Sequence, residues 1–211
     1  MNVTLRSRHQ RRRFEDLDER EMFPTIYADD HAMTALGIRE SVMYLLHQIG
    51  WDTSPIRRRY CTYKKLTLEF LSTLSFIPNH GIGFNRGLIT FRMFDMDYTY
   101  NLREFSHLLG FPFGPDVITM TQEDLLPDSD LDFFWGSITG NNHPEPSDLY
   151  SECIHNPTIR YFHKIIAHTL FGKQQNVTSV SRDELFIMYC ASQSRPVNGA
   201  AYMLANTDRI I

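Results

Sequence analysis

The sequence predicts a mainly α protein with one small β-hairpin, an α-rich α+β fold built as a single compact helical domain. Three observations predict it. Apolar residues recur at helical spacing in segment after segment, while strict alternation occurs in one place only, between residues 87 and 101. A chain of 211 residues with 42% hydrophobic content suits one well-formed core and is short for two average domains. Fifteen Phe, ten Tyr and two Trp then make that core rich in rings, which contribute heavily to buried area.

Residues 1–22 read as a flexible basic and charged arm, with a charged helix beginning near Phe14, and the ordered domain as 23–211. Ile38, Val42, Leu45, Leu46 and Ile49 lie between Gly37 and Gly50 and define a first amphipathic helix. A second follows Thr62, with Tyr63, Leu66, Phe70 and Leu74 on its apolar stripe. Leu88 to Phe94 alternates in β-forming residues, Asp95-Met96-Asp97 supplies a turn, and Tyr98-Thr99-Tyr100 returns. Asn101 with Glu104 has the form of a capping box for a helix that ends at Gly110. Residues 112–152 read as a loop-rich acidic insertion holding a short aromatic helix around Phe133, Phe134 and Trp135. Asn156-Pro157 sets up another helix, with Ile159, Phe162, Ile166 and Leu170 on one face. Ser181 with Glu184 repeats the capping-box pattern, and a final helical piece begins near Ala200.

The net charge of -4 conceals a separation that matters more for partners than the total does. Arg6, Arg8, Arg11, Arg12 and Arg13 form one basic run, and Arg57, Arg58, Arg59, Lys64 and Lys65 a second. Residues 115–152 carry nine acidic side chains and no Lys or Arg. Cys61, Cys153 and Cys190 are odd in number and outside any C-x-x-C pattern, which argues against a disulfide framework and fits a reducing compartment, cytoplasm or nucleus. The Arg-rich, acid-free start also fits mitochondrial import, although Glu15, Asp16, Asp18 and Glu19 follow at once. No apolar stretch approaches the length of a membrane span.

Several motifs imitate catalytic or metal sites. Tyr27-Ala28-Asp29-Asp30 spells a polymerase-like box, but that chemistry needs a strand on each side, and a helix-like run follows here. Asp29 or Asp30 therefore reads as a helix cap. Asp128, Asp130 and Asp132 share the opening of a calcium loop, yet Phe133 and Thr139 stand where glycine and glutamate are needed. His163 and His168 are five apart, which on a helix turns them away from a common metal, and His163 reads as a packed, hydrogen-bonded residue. Cys153 and His155 have no second ligand pair nearby. No catalytic residue, metal ligand set or cofactor motif is assigned.

The cluster Arg57-Arg58-Arg59-Tyr60 followed by Tyr63-Lys64-Lys65 combines cations for phosphates with rings that stack on bases. With Arg11, Arg12 and Arg13 it makes the candidate surface for nucleic acid or an acidic partner. The opposing reading is equally direct: Tyr63 belongs to a buried stripe and the arginines only cover solvent-facing surface.

The order of segments resembles a known family. Leu66-Thr67-Leu68-Glu69-Phe70-Leu71-Ser72-Thr73-Leu74, Ile89-Thr90-Phe91-Arg92-Met93-Phe94, Leu102-Arg103-Glu104-Phe105 and Leu109-Gly110-Phe111-Pro112 are similar to the plant Athila-type retrotransposon ORF-1 proteins. Phe134-Trp135, Asn156-Pro157 before Arg160-Tyr161-Phe162-His163, and Ser181-Arg182-Asp183-Glu184-Leu185 continue the likeness, over about Phe14 to Cys190. The resemblance implies descent from a gypsy-type element and brings no assigned activity and no functional residues. It also implies a place in longer polyproteins, so that a chain from Met1 to Ile211 reads as a shortened, host-retained copy. A C-x2-C zinc knuckle of the kind common in packaging proteins is missing from the sequence.

The expectation is a non-enzymatic, retrotransposon-derived interaction module that works by protein contacts or self-association, with weak RNA binding besides, and without a small-molecule substrate. The alternative is a domesticated selfish-element product that binds a host protein, in an organelle if the Arg-rich start is an address, and perturbs the cell.

Overall fold

Helix starts in this protein are written in short polar side chains, and most of the architecture follows from them. A computed structural model describes residues 3–21, 28–52, 63–77, 87–119, 127–141, 149–174 and 177–210. Ser7 caps helix α1 (Arg8–Asp18) in a full capping box with Gln10. Asp29 accepts the N–H groups of His31 and Ala32 to open α2 (Asp30–Ala35), the capping role expected of it. Helix α3 (Arg39–Gln48) begins after Gly37 and ends before Gly50, both with positive φ. Helix α4 (Lys64–Thr73) runs straight into strand β1 (Ser75–Ile77).

Strands β2 (Leu88–Met93) and β3 (Met96–Asn101) form the expected hairpin, and β1 adds a third strand, giving an antiparallel sheet in the order β1-β2-β3. The turn is tighter than the sequence suggests. Only Phe94 and Asp95 lie between the strands, at φ +55° and +63°, and Met93 pairs with Met96. That is a type I′ geometry made without glycine, so support must come from outside the hairpin.

Asn101 and Glu104 complete their capping box at the start of α5 (Leu102–Leu108), with Gly110 at φ +71° beyond its end. Helix α6 (Asp128–Thr139) buries Leu131, Phe134, Trp135 and Ile138, so the centre of the supposed surface insertion is core. The acids at its start conceal this, because they and Phe133 face solvent while Phe134 and Trp135 face inward. Asn156 and Pro157 open α7 (Pro157–Thr169), Ser181 and Glu184 open α8 (Arg182–Ser192), and α9 (Gly199–Ile210) follows.

Helices α3, α7 and α8 pack on one another, α6 lies against α8, and α9 against α5. Residues 196–198 tie these layers together. Val197 donates its N–H to Ile49 and accepts the Trp51 indole N–H at 2.7 Å, while Ile118 donates to Pro196 and Asn198 donates to Ile118. The sheet packs on α4, whose outer side carries α1. Arg8–Asp18 is thus a docked helix where a flexible arm was expected: its Leu17 is buried, Arg13 bonds the end of α4, and Arg8, Arg11 and Arg12 are exposed.

Candidate nucleic-acid interface

Helices α1 and α4 run antiparallel. Lys64, at the start of α4, bonds Asp18 at the end of α1 with a 2.7 Å ion pair, and Arg13 donates Nη1 to the carbonyl of Leu74 at the far end of α4. Two basic segments some fifty residues apart in sequence therefore lie on one helix pair, the arginines of α1 toward the end of α4 and Lys64 and Lys65 beside the end of α1. Arg8, Arg11 and Arg12 project from α1, and Lys64 and Lys65 from α4, all exposed. Arg12 approaches Asp16 at 4.0 Å. Arg8, Arg11 and Lys65 make no ion pair or hydrogen bond to the described residues. Arg13 instead serves structure, since one arm of its guanidinium is committed to Leu74. Arg57, Arg58, Arg59 and Tyr60 lie outside the described residues.

Tyr63 departs from the sequence reading in a useful direction. It was placed on a buried stripe, yet its ring is 66% exposed beside Lys64 and Lys65. The inner face of α4 is Leu68, Glu69, Ser72 and Thr73, turned from the supposed stripe, of which Leu74 is buried and Phe70 packs on Phe91. Hydrophobicity alone misplaced the face because two of its inward residues are polar and one is charged.

The charge order within α1 is also informative. Its first turn holds no acid and its last turn no base. Cations crowd the positive end of the helix dipole and Glu15 and Asp16 the negative end, each unfavourable by roughly 0.3–1 kcal/mol. The capping box and the contact with α4 hold a helix whose surface charges oppose its own formation. Such local conflict is expected where a surface is kept for a partner.

A family model described as the ATHILA ORF-1 family matches residues 7–193. The chain belongs to the ATHILA ORF-1 family. It is accordingly a retrotransposon-derived protein, as the resemblance implied. No curated protein and no solved structure matches the chain. The match to the ATHILA ORF-1 family starts at Ser7, the cap of α1, and so takes in both helices of the basic pair. It starts earlier than the likeness seen by eye from Phe14, because α1 contributes few apolar residues for the eye to follow.

A second polar group in this ORF-1 chain lies deep in the helical layer. His163 of α7 and Glu184 of α8 are both completely buried, with Nε2 3.5 Å from Oε2. Lys173 reaches the same Oε2 at 2.7 Å, and Ser181 bonds it through both its N–H and its hydroxyl. Burial pushes the Glu184 carboxyl up, but the close approach of His163 and the bonds from Lys173 and Ser181 outweigh it and hold the group below its ordinary value. His163 is packed as expected, though neither ring nitrogen has a hydrogen-bond partner among the described residues, which corrects the other half of that reading. Helix spacing showed that His163 was inside; it could not show which residue of another helix faced it.

Among the described residues no group of three or more His, Cys, Asp or Glu is arranged to hold a metal ion, and Asp128, Asp130 and Asp132 stand exposed at the start of α6. No helix among them is long and apolar enough to cross a membrane.

Proposed function

We propose that this ATHILA ORF-1 chain is a non-enzymatic interaction module that works through protein contacts, self-association among them, and binds RNA weakly through the α1–α4 face. The observation that carries the reading is that one antiparallel helix pair exposes three cations whose side chains have no partner among the described residues, Arg8 and Arg11 on α1 and Lys65 on α4, the last beside the exposed Tyr63. Cations neutralise phosphates and an exposed ring stacks on bases without regard to sequence, a combination suited to single strands. Arg57, Arg58 and Arg59 stand shortly before Tyr63 in the sequence and lie outside the described residues. The non-enzymatic part of the reading is supported by the placement of the strongest ionisable group. His163 and Glu184 are completely buried, packed between α7 and α8.

Fluorescence anisotropy with a labelled single-stranded RNA tests the reading. Three phosphate contacts give a slope of log affinity against log salt of about -2, at roughly 0.7 per contact on single strands. Replacing Arg8, Arg11 and Lys65 together by Ala flattens that slope and weakens binding about tenfold or more at low salt. Binding that ignores salt, or that survives the triple change intact, overturns the proposal.

A further inference from the structure

We infer that the cleft between the start of α1 and the α4–β1 junction is a binding site for the phosphate of a nucleotide. The cleft encloses about 270 Å³ and is lined by Ser7, His9, Gln10, Arg13, Ser75 and Phe76 with the end of α4. Several of its acceptors are already in use. The Leu74 carbonyl takes Arg13 Nη1 at 3.0 Å, and Gln10 Oε1 takes the N–H groups of Arg6 and Ser7 at 2.9 and 3.4 Å. Ser7 Oγ takes the N–H of Gln10 at 3.0 Å, and Thr73 Oγ1 that of Arg92 at 2.8 Å. The second arm of the Arg13 guanidinium and the Gln10 amide nitrogen can only donate, and the hydroxyls of Ser7 and Ser75 and the His9 ring can each donate to an anion as well. No carboxylate lines the cleft. A polar site with donors in excess and one fixed guanidinium selects an anion with several acceptor oxygens, which is the chemistry of phosphate. Its size exceeds what phosphate alone fills, and the half-buried Phe76 ring supplies an apolar wall for a base or sugar.

The inference rests on the RNA-binding reading for its biological source, but not on the same side chains, since Arg8, Arg11 and Lys65 are not among those that line the cleft. The ligand is therefore a free mononucleotide or the phosphorylated end of an RNA, and the two are separable.

Calorimetric titration of the full chain with adenosine 5′-monophosphate, adenosine and inorganic phosphate tests it. Binding of the monophosphate, displacement by phosphate and no binding of adenosine are expected. Ser75→Glu, at an exposed position, puts a carboxylate against the phosphate and weakens the monophosphate at least about tenfold. Should that variant melt earlier than the parent, His9→Ala, also at an exposed position, replaces it with an expected loss of several-fold. In the second arm, a short RNA with a 5′-phosphate is compared with its 5′-hydroxyl form. Preference for the phosphate, with displacement by the mononucleotide, identifies an RNA end; equal binding of the two RNAs identifies a free nucleotide. A monophosphate that binds no better than adenosine, or that is indifferent to both variants, overturns the inference. Either result leaves the α1–α4 face untouched, because that reading fails only if the change at Arg8, Arg11 and Lys65 is silent.

Discussion

Glu69 is 1% exposed in the middle of α4, and its two carboxylate oxygens accept the N–H groups of Phe94 and Asp95 at 3.0 and 3.1 Å. These are the two residues at positive φ in the hairpin turn, a conformation that disfavours side chains larger than glycine by about 1–2 kcal/mol each. The buried carboxylate is what holds them there, with Arg92 bonding the Asp95 carbonyl from the other side at 2.8 Å. Glu69→Gln keeps the shape but turns one acceptor into a donor facing an N–H. The expected loss is about 1–3 kcal/mol in urea unfolding, and an unchanged midpoint would refute the clamp. Glu184 makes a pH prediction of the opposite kind, about a charge already satisfied. Its folded pKa lies below the ordinary 4.5, so its contribution is complete above that value and is lost as pH falls through the lower folded one. Glu184→Gln preserves the capping-box pattern, hence the stability gap between the two proteins should be widest near neutrality and close as pH falls below the ordinary carboxylate range. A gap of constant size across the series contradicts the pairing. The two carboxylates also show what a sequence displays. The capping role of Glu184 was legible because Ser181 is three residues away, whereas the turn that Glu69 holds is 25 residues off and nothing in the local pattern connects them.

At the scale of elements, periodicity and punctuation were enough for α5, α7 and α8, where apolar spacing and a short polar cap agree, and for α3, which lies between Gly37 and Gly50. They misled wherever an inward face carried polar atoms or an outward one carried charge. The stripe of α4 was rotated by its polar inner residues, α6 was hidden by the acids of its first turn, and α1 looked like a loose arm because it is mostly charged. Helix α1 gives the sharpest test of this kind. Leu17 is its one buried side chain, set against a helix otherwise tied down by the Lys64–Asp18 pair and the Arg13 bond. Leu17→Ala should cost about 2–5 kcal/mol if α1 is part of the folded unit, as a core truncation does. A frayed arm would lose less than about 0.5 kcal/mol, the ordinary effect of a surface change. Hydrogen exchange at the amides of α1, slowed in the parent and fast in the variant, would distinguish undocking of the helix from global unfolding.

At the scale of the whole molecule, exposed cations are concentrated on the α1–α4 pair, which also carries Glu15, Asp16 and Asp18, while the start of α6 is acidic alone. Asp128, Asp130 and Asp132 are exposed there, and Asp128 is engaged by Arg182 of α8 at 2.8 Å. Among the described residues no ion pair joins α1 or α4 to the acidic stretch. The basic face therefore does not neutralise these acids within its own fold, and each group repels itself unless screened or met by a partner surface. A second copy offers the missing complement, head to tail. That is a heterologous contact, which grows into rings or filaments where a symmetric dimer would stop at two. Light scattering over a salt series should then show a mass that falls toward the single chain as salt rises past roughly 0.15 M, where charges are screened within about 8 Å. Replacing Arg57, Arg58 and Arg59 by Ala should lower the mass at low salt and leave the melting temperature in place. RNA and self-association would compete for the same cations, so adding RNA should dissociate the parent protein. One mass at every salt concentration, in parent and variant alike, eliminates assembly by charge. An earlier melt in the variant with no change of mass would instead place the three arginines in contact with acids of their own chain.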